Sequence, residues 1–362
     1  MHCVCCGGED FAALPNPHAA RSMASDFRVV AEPLNKHDCV TCGAIARGKS
    51  TRIEFDGDYT LYAHAPGTGP ELGRQRRYAQ WVSTLSTQPR SLFEAGSGNG
   101  SLLLALAGVW PGTTLTGVEP ASGAAASACA AGLAVANSAL HAVEVPTSEV
   151  ALAINVIEHV DDPVGFVRAL ASHASDGVII SAPDGSRPSV ELLIADHQHS
   201  FTPATRRRSL ECAELDVIEH VEAPSELGVF FATLARKPHG RHGERRITQS
   251  AAPDRRGYLN AWKNLEASLL ERLGTELEVG CFGAGEAAAL LRAYAPSAWS
   301  RVNACFVDTP QDTSFGDLAI HGMQHAPRTL LLGVRPQSQH AVSQRLESAG
   351  HRVIRWDDIV AQ

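Results

Sequence analysis

The first clear pattern is a short apolar run, Ser91-Leu92-Phe93. It passes through Glu94-Ala95-Gly96-Ser97-Gly98-Asn99-Gly100 into a second apolar stretch over residues 101–110. That pattern predicts a strand, a turn through three alternating glycines, and a helix. Residues 114–119 repeat the strand pattern and end on a carboxylate, Glu119. Residues 149–156 predict another buried strand, which runs into Ile157-Glu158-His159-Val160-Asp161-Asp162-Pro163. A further strand is predicted over residues 178–183, closed by Pro183. Between these, residues 123–140 are mostly alanine, glycine and serine and predict a packed helix. Strands alternating with helical runs imply an α/β fold with a parallel sheet and ligands at the carboxyl ends of its strands.

A second series follows Arg236. A stretch rich in glycine, proline, arginine and histidine reads as a linker up to about Gly257. Residues 258–273 then carry helical periodicity, with Leu259, Trp262, Leu265, Leu269 and Leu273 on one face. Strands are predicted over residues 277–282, 301–307, 329–334 and 351–355, with helices over 287–294 and 338–349. This is a second, small Rossmann-like unit. Its Gly283-Ala284-Gly285-Glu286 turn suits a plain strand-to-helix turn as well as a ligand. The expected division is residues 1–70, 71–237, a linker over 238–257, and 258–362.

Composition narrows the function classes. A chain of 362 residues is longer than one ordinary domain. Its formal charge of -8 gives no global basic footprint for nucleic acid, and Arg206-Arg207-Arg208 is expected in a solvated turn. Residues 123–140 are too weakly hydrophobic for a membrane span. No charged segment followed by an apolar one opens the chain, so a cytoplasmic location is the expectation.

Nine cysteines matter through their placement. Cys3-Val4-Cys5-Cys6-Gly7 and Cys39-Val40-Thr41-Cys42-Gly43 hold two C-x-x-C pairs, each followed by a glycine that lets the chain curl. Two such knuckles supply four thiolates in tetrahedral array, the donor set of structural Zn2+. Cys3, Cys6, Cys39 and Cys42 are the predicted ligands, with Cys5 an alternative to Cys3 or Cys6. Cys129, Cys212, Cys281 and Cys305 stand singly and read as core residues.

The glycine loop carries the chemistry. Glycine serves where backbone turns sharply or approaches a ligand, and the helix behind it offers free N–H groups. Glu119 lies about 20 residues on, where a doubly wound fold places a ribose-binding acid. The series E-x-G-x-G-x-G, G-V-E-P and N-V-I-E-H-V-x-D-P resembles the motifs of class I S-adenosylmethionine-dependent methyltransferases. The resemblance implies that Glu94, Gly96, Ser97, Gly98 and Gly100 lie against the cofactor's methionine part. By the same resemblance Glu119, followed by Pro120, holds the ribose, and Asn155 lies beside the cofactor.

Cysteine knuckles, methyltransferase motifs and a second Rossmann-like unit, in that order, resemble the three-domain sugar C-methyltransferases, which act on nucleotide-linked ketosugars. That family carries Y-H-E-H-x-S-Y-F, matched here by Asp196-His197-Gln198-His199-Ser200-Phe201, with aspartate and glutamine in place of tyrosine and glutamate. The match implies His199 as base, with His159 or His197 orienting or polarising a carbonyl, and Asp196 and Gln198 in the pocket. Tyr59 and Tyr62 resemble the family's aromatic pocket segment. A carbon nucleophile needs a proton removed beside a carbonyl, a task that suits histidine. The implied partner is a small-molecule acceptor, possibly a nucleotide-linked sugar. Two other readings stand beside it: an O- or N-methyltransferase of a small natural-product precursor, and a non-catalytic assembly protein.

Overall fold

The structure is a computed structural model that describes residues 1–48, 53, 64–69, 72–238 and 254–360. Tyr59, Tyr62 and most of the stretch read as a linker lie outside the described residues. The N-terminal segment forms β1 (Phe11–Ala13), β2 (Ser22–Met23), β3 (Val29–Val30), β4 (Lys36–Cys39) and β5 (Ile45–Arg47). β1, β4 and β5 pair antiparallel, and the sheet takes its fourth strand from far along the chain, at His199–Ser200.

The central part contains α1 (Leu72–Val82), β6 (Ser91–Ala95), α2 (Ser101–Val109), β7 (Thr114–Glu119), α3 (Ser122–Ala130) and β8 (Ala134–Asn137). It continues through β9 (Ser148–Ile154), α4 (Pro163–Ser172), β10 (Ala174–Pro183), β11 (His199–Ser200), α5 (Pro203–Cys212), β12 (Asp216–Glu222) and β13 (Phe230–Arg236). The main sheet runs β12-β13-β10-β9-β6-β7-β8, parallel except for β13. From β6 the chain moves outward through β7 and β8, then returns to the other side of β6 at β9. The crevice between β6 and β9 is therefore the switch point of a doubly wound sheet, where such folds bind ligands.

Two readings of this region change. The helix expected over residues 123–140 stops at Ala130, because Gly132 turns left-handed (φ 82) and its N–H and that of Leu133 close the last turn; β8 follows. Arg206 is no solvated turn residue. It lies within α5, fully buried, with its guanidinium 5.0 Å from the Phe201 ring and 4.8 Å from the Phe231 ring.

The last part comprises α6 (Arg255–Leu273), β14 (Val279–Phe282), α7 (Glu286–Tyr294), α8 (Pro296–Trp299), β15 (Val302–Val307) and β16 (Ser314–Phe315). After these come β17 (Leu318–Gly322), β18 (Thr329–Leu332), α9 (Pro336–Ser348), β19 (Arg352–Ile354) and α10 (Asp357–Val360). Its sheet runs β16-β17-β15-β14-β18-β19, parallel but for β16, so a second switch point lies between β14 and β18. α6 starts inside the stretch read as a linker, because the Asp254 carboxylate accepts from the Gly257 N–H and caps it. Its predicted apolar face is wholly buried. One apolar cluster joins that face to Met23, Leu34, Ile45 and residues 192–195, so the three parts share a core. Cys281 and Cys305 are buried there, whereas Cys129 is exposed and Cys212 half-buried. Among the described residues, no helix is long and apolar enough to cross a membrane.

Candidate functional site

The loop after β6 is built by its glycines. Gly96, Gly98 and Gly100 all take positive φ (71, 54 and 78), and a Cβ on Gly100 would come within 2.3 Å of Leu133. The Gly96 and Ser97 N–H groups donate to the Val118 carbonyl, which pins the loop to the end of β7. Glu119 accepts from the Gly98 N–H with one oxygen and from the Ala121 N–H with the other, both at 2.8 Å. Each oxygen keeps a lone pair. Pro120 follows it, its carbonyl bonded by the Asn137 side chain.

Polar atoms without partners gather at this point. Glu94 is 2% exposed and one of its oxygens has no hydrogen bond. Burial, then the charge of Glu119, pushes its pKa up to about 8. The Ser97 hydroxyl and the Asn155 side-chain oxygen are also buried and unbonded. Asn155 follows β9 in a left-handed conformation (φ 54), and its amide donates to the Tyr78 hydroxyl at 3.3 Å. These groups stand at or just beyond the carboxyl ends of β6 and β9.

A second polar group lies next along the chain from Asn155. His159 Nδ1 is 3.3 Å from an Asp196 carboxylate oxygen and 3.1 Å from the Asp196 carbonyl. Asp196 is itself held by the Ser25 N–H at 2.7 Å and hydroxyl at 2.6 Å. The His197 ring meets the His159 ring edge-on, centroids 4.8 Å apart. Burial disfavours the imidazolium, but the bonds and charge of Asp196 outweigh it and push His159 up to about 9. Burial opposes the charge of Asp196 in turn, yet His159 and Ser25 hold its carboxyl below the usual range. Burial and then the His159 charge push His197 down.

Beside them lie groups that the sequence reading did not assign. Glu158 is 1% exposed, and neither oxygen has a hydrogen-bond partner. Lys36 is buried with its ammonium unbonded; burial lowers it to about 7 against the pull of Asp196. Glu191 is pushed up to about 8 by burial and by Glu286, which bonds Arg335 at the start of α9. Glu158 was legible within N-V-I-E-H-V. Lys36 and Glu191 carry no local signal, since only tertiary packing buries them.

His199 is placed differently. β11 pairs with β5, and the His199 N–H donates to the Glu158 carbonyl at 3.1 Å. Its ring lies near Phe201 and within electrostatic reach of Asp161 and Cys3, and burial lowers its pKa. It is not grouped with His159 and His197. The Gln198 carbonyl accepts from the Arg47 N–H in the same strand pairing.

The cysteine knuckles match one another. Gly7 and Gly43 share φ 73, and their N–H groups donate back to the Cys3 and Cys39 carbonyls, each at 2.8 Å. Sulfur–sulfur distances are 3.5 Å for Cys3–Cys42 and 3.6 Å for Cys6–Cys39, and all four sulfurs lie within 4.8 Å of one another. Cys5 is not one of that set, and its sulfur lies 3.6 Å from the Ser209 hydroxyl.

Residues 72–220 match the family described as a methyltransferase domain. No curated protein matches the chain. Among solved structures, the mitomycin 7-O-methyltransferase is similar at 18% identity and TM-score 0.41, over 46% of this chain and 55% of that one. The magnesium protoporphyrin IX methyltransferase of Synechocystis is similar at 15% identity and TM-score 0.37, over 46% and 79%. The CcbJ methyltransferase from Streptomyces caelestis is similar at 15% identity and TM-score 0.38, over 49% and 94%. This chain thus spans about half the length of the mitomycin enzyme, and each likeness covers about half of this chain.

Proposed function

From the methyltransferase domain that residues 72–220 form, we propose that this chain moves the methyl group of S-adenosylmethionine to a small-molecule acceptor. The observation that carries the reading is the loop with its two carboxylates. Glu119 keeps a lone pair on each oxygen for ribose hydroxyls, and Glu94 offers an unbonded buried carboxylate to a ligand that bears cationic groups. Ser97 and Asn155 add unbonded oxygens, so the residues present fit the cofactor. When bound, it supplies a methyl on a sulfonium; the acceptor's electron pair forms the new bond while the S–C pair stays on sulfur.

The chain's own part is alignment and proton handling. Asp196, fixed by Ser25, orients His159, and His197 packs against that ring. The acceptor we propose is a nucleotide-linked ketosugar methylated at carbon. Its support is the order of cysteine cluster, methyltransferase sheet and second doubly wound sheet, together with the Glu191, Glu286 and Arg335 cluster between the last two. Tyr59 and Tyr62 stay in that proposal as pocket residues from the sequence alone.

One observation favours O- or N-methylation instead. His199, the leading base for a carbon acid, is not with the His159 and His197 pair. Reactions of S-adenosylmethionine with a panel of nucleotide-linked ketosugars, followed by mass spectrometry, test the first reading through a gain of one methyl. Deuterium exchange from solvent into a ketosugar without methyl transfer separates carbon from oxygen chemistry. No cofactor binding by calorimetry would sink both.

We also assign structural Zn2+ to Cys3, Cys6, Cys39 and Cys42. Four sulfurs about 2.3 Å from one ion lie about 3.8 Å apart in a tetrahedron, close to the 3.5 and 3.6 Å seen. Such a set leaves no open position, so the ion's work there is architectural.

A further inference from the structure

Glu158, His159 and His197 present one ligand atom each, all within 4.8 Å of one another. Glu158 is buried with both carboxylate oxygens unbonded, an expensive arrangement unless a cation meets it. Arg206 lies within electrostatic reach but makes no bond to it; among the described residues its guanidinium hydrogen-bonds only the Ile180 carbonyl.

His159 is braced from behind. His159 Nδ1 is taken by Asp196, so Nε2 is the nitrogen that faces away from that carboxylate. Two bonds from Ser25 fix Asp196. His197 is buried with its ring packed edge-on against that of His159. A ligating histidine characteristically gives its second nitrogen to a carboxylate or a backbone carbonyl, which fixes tautomer and ring orientation. His159 has such a brace in Asp196.

We propose that Glu158, His159 and His197 bind a divalent first-row transition ion, distinct from the ion of the four cysteines, with an acceptor oxygen as a further ligand. Two imidazoles and a carboxylate suit such ions, and three protein ligands leave positions open. The role rests on the methyltransferase reading. The ion would acidify an acceptor hydroxyl, or the C–H beside an acceptor carbonyl. The proton leaves to solvent, and the electron pair it releases is the one that takes the methyl group. His199 is then not required as a base, which accounts for its place outside the group.

The test uses the full chain, stripped of metal and loaded with one equivalent of Zn2+ for the cysteines, then titrated with Co2+. We expect one equivalent of Co2+ to bind with weak d–d bands and no thiolate charge-transfer band. Affinity should fall at least tenfold in Glu158→Gln and in His197→Asn. Asp196→Asn alters no ligand, and through the His159 brace it should weaken Co2+ about 10- to 100-fold. This variant keeps the test valid if a ligand variant unfolds. No Co2+ uptake by the wild type, or unchanged affinity in Glu158→Gln or Asp196→Asn, overturns the proposal. Calorimetry with S-adenosylmethionine in the absence of Co2+ reads the methyltransferase assignment separately, so either can fail alone.

Discussion

Glu94 and Glu119 sit at the ends of neighbouring strands, yet the fold treats them differently. Glu119 takes two backbone N–H groups, while Glu94 is left with burial and a like charge. Glu119→Gln keeps one acceptor oxygen and loses the charge. Removal of a charged hydrogen-bond partner costs about 1.5–3 kcal/mol, so S-adenosylmethionine should bind about 10- to 100-fold more weakly by calorimetry. The pKa of Glu94, about 8, lies above its unfolded value of about 4.3. The ligand-free folded chain therefore holds the extra proton. That contribution to stability is full below about pH 4.3 and is lost as pH rises through about 8. A cationic ligand reverses the balance, since it favours the carboxylate. Cofactor affinity should thus climb between pH 6 and 9 in the wild type and stay flat over that range in Glu94→Gln. A flat wild-type profile would remove Glu94 from the site.

Elements were readable where one segment carries its own signal. In the main sheet β6, β9 and β10 showed as apolar runs, whereas β13, buried over most of its length, was not predicted; α6 showed as a five-residue apolar stripe. β12 did not, because Asp216–Glu222 holds neither an apolar run nor a strict alternation, and only its pairing with β13 at the sheet edge makes it a strand. The run over residues 123–140 has too little contrast between faces to tell helix from strand, so the left-handed Gly132 decided it. The helix start at Gly100 is tightly constrained. Gly100→Ala places a Cβ 2.3 Å from Leu133 at φ 78. It should cost about 1–3 kcal/mol, seen as a lower thermal midpoint together with weaker cofactor binding. An unchanged midpoint would mean that the loop relaxes freely.

The molecule is tied together by two long-range devices. β11, sent out from the central part, completes the N-terminal sheet beside the cysteine knuckles. Arg255, 1% exposed at the start of α6, bonds Asp38, the Gly43 carbonyl and the Gly185 carbonyl, and so clamps all three parts. Arg255→Ala strands Asp38 and should lower unfolding stability by about 2–3 kcal/mol in urea titrations. Chelation of metal, or Cys39→Ser, should lower the melting temperature and expose the knuckle thiols to titration; no change would argue against a structural ion. By itself the sequence determined the local chemistry: the glycine loop, the Glu119 carboxylate, the C-x-x-C knuckles and the apolar stripe of α6. Each depends on residues close in the chain, where spacing alone sets geometry. Tertiary structure decided which side chains meet. It joined His159 to Asp196 and Asp196 to Ser25, left His199 outside that cluster, buried Lys36, Glu158 and Glu191, and brought Arg255 across three parts. Burial and long-range pairing leave no mark on neighbouring residues, so no pattern along the chain could announce them.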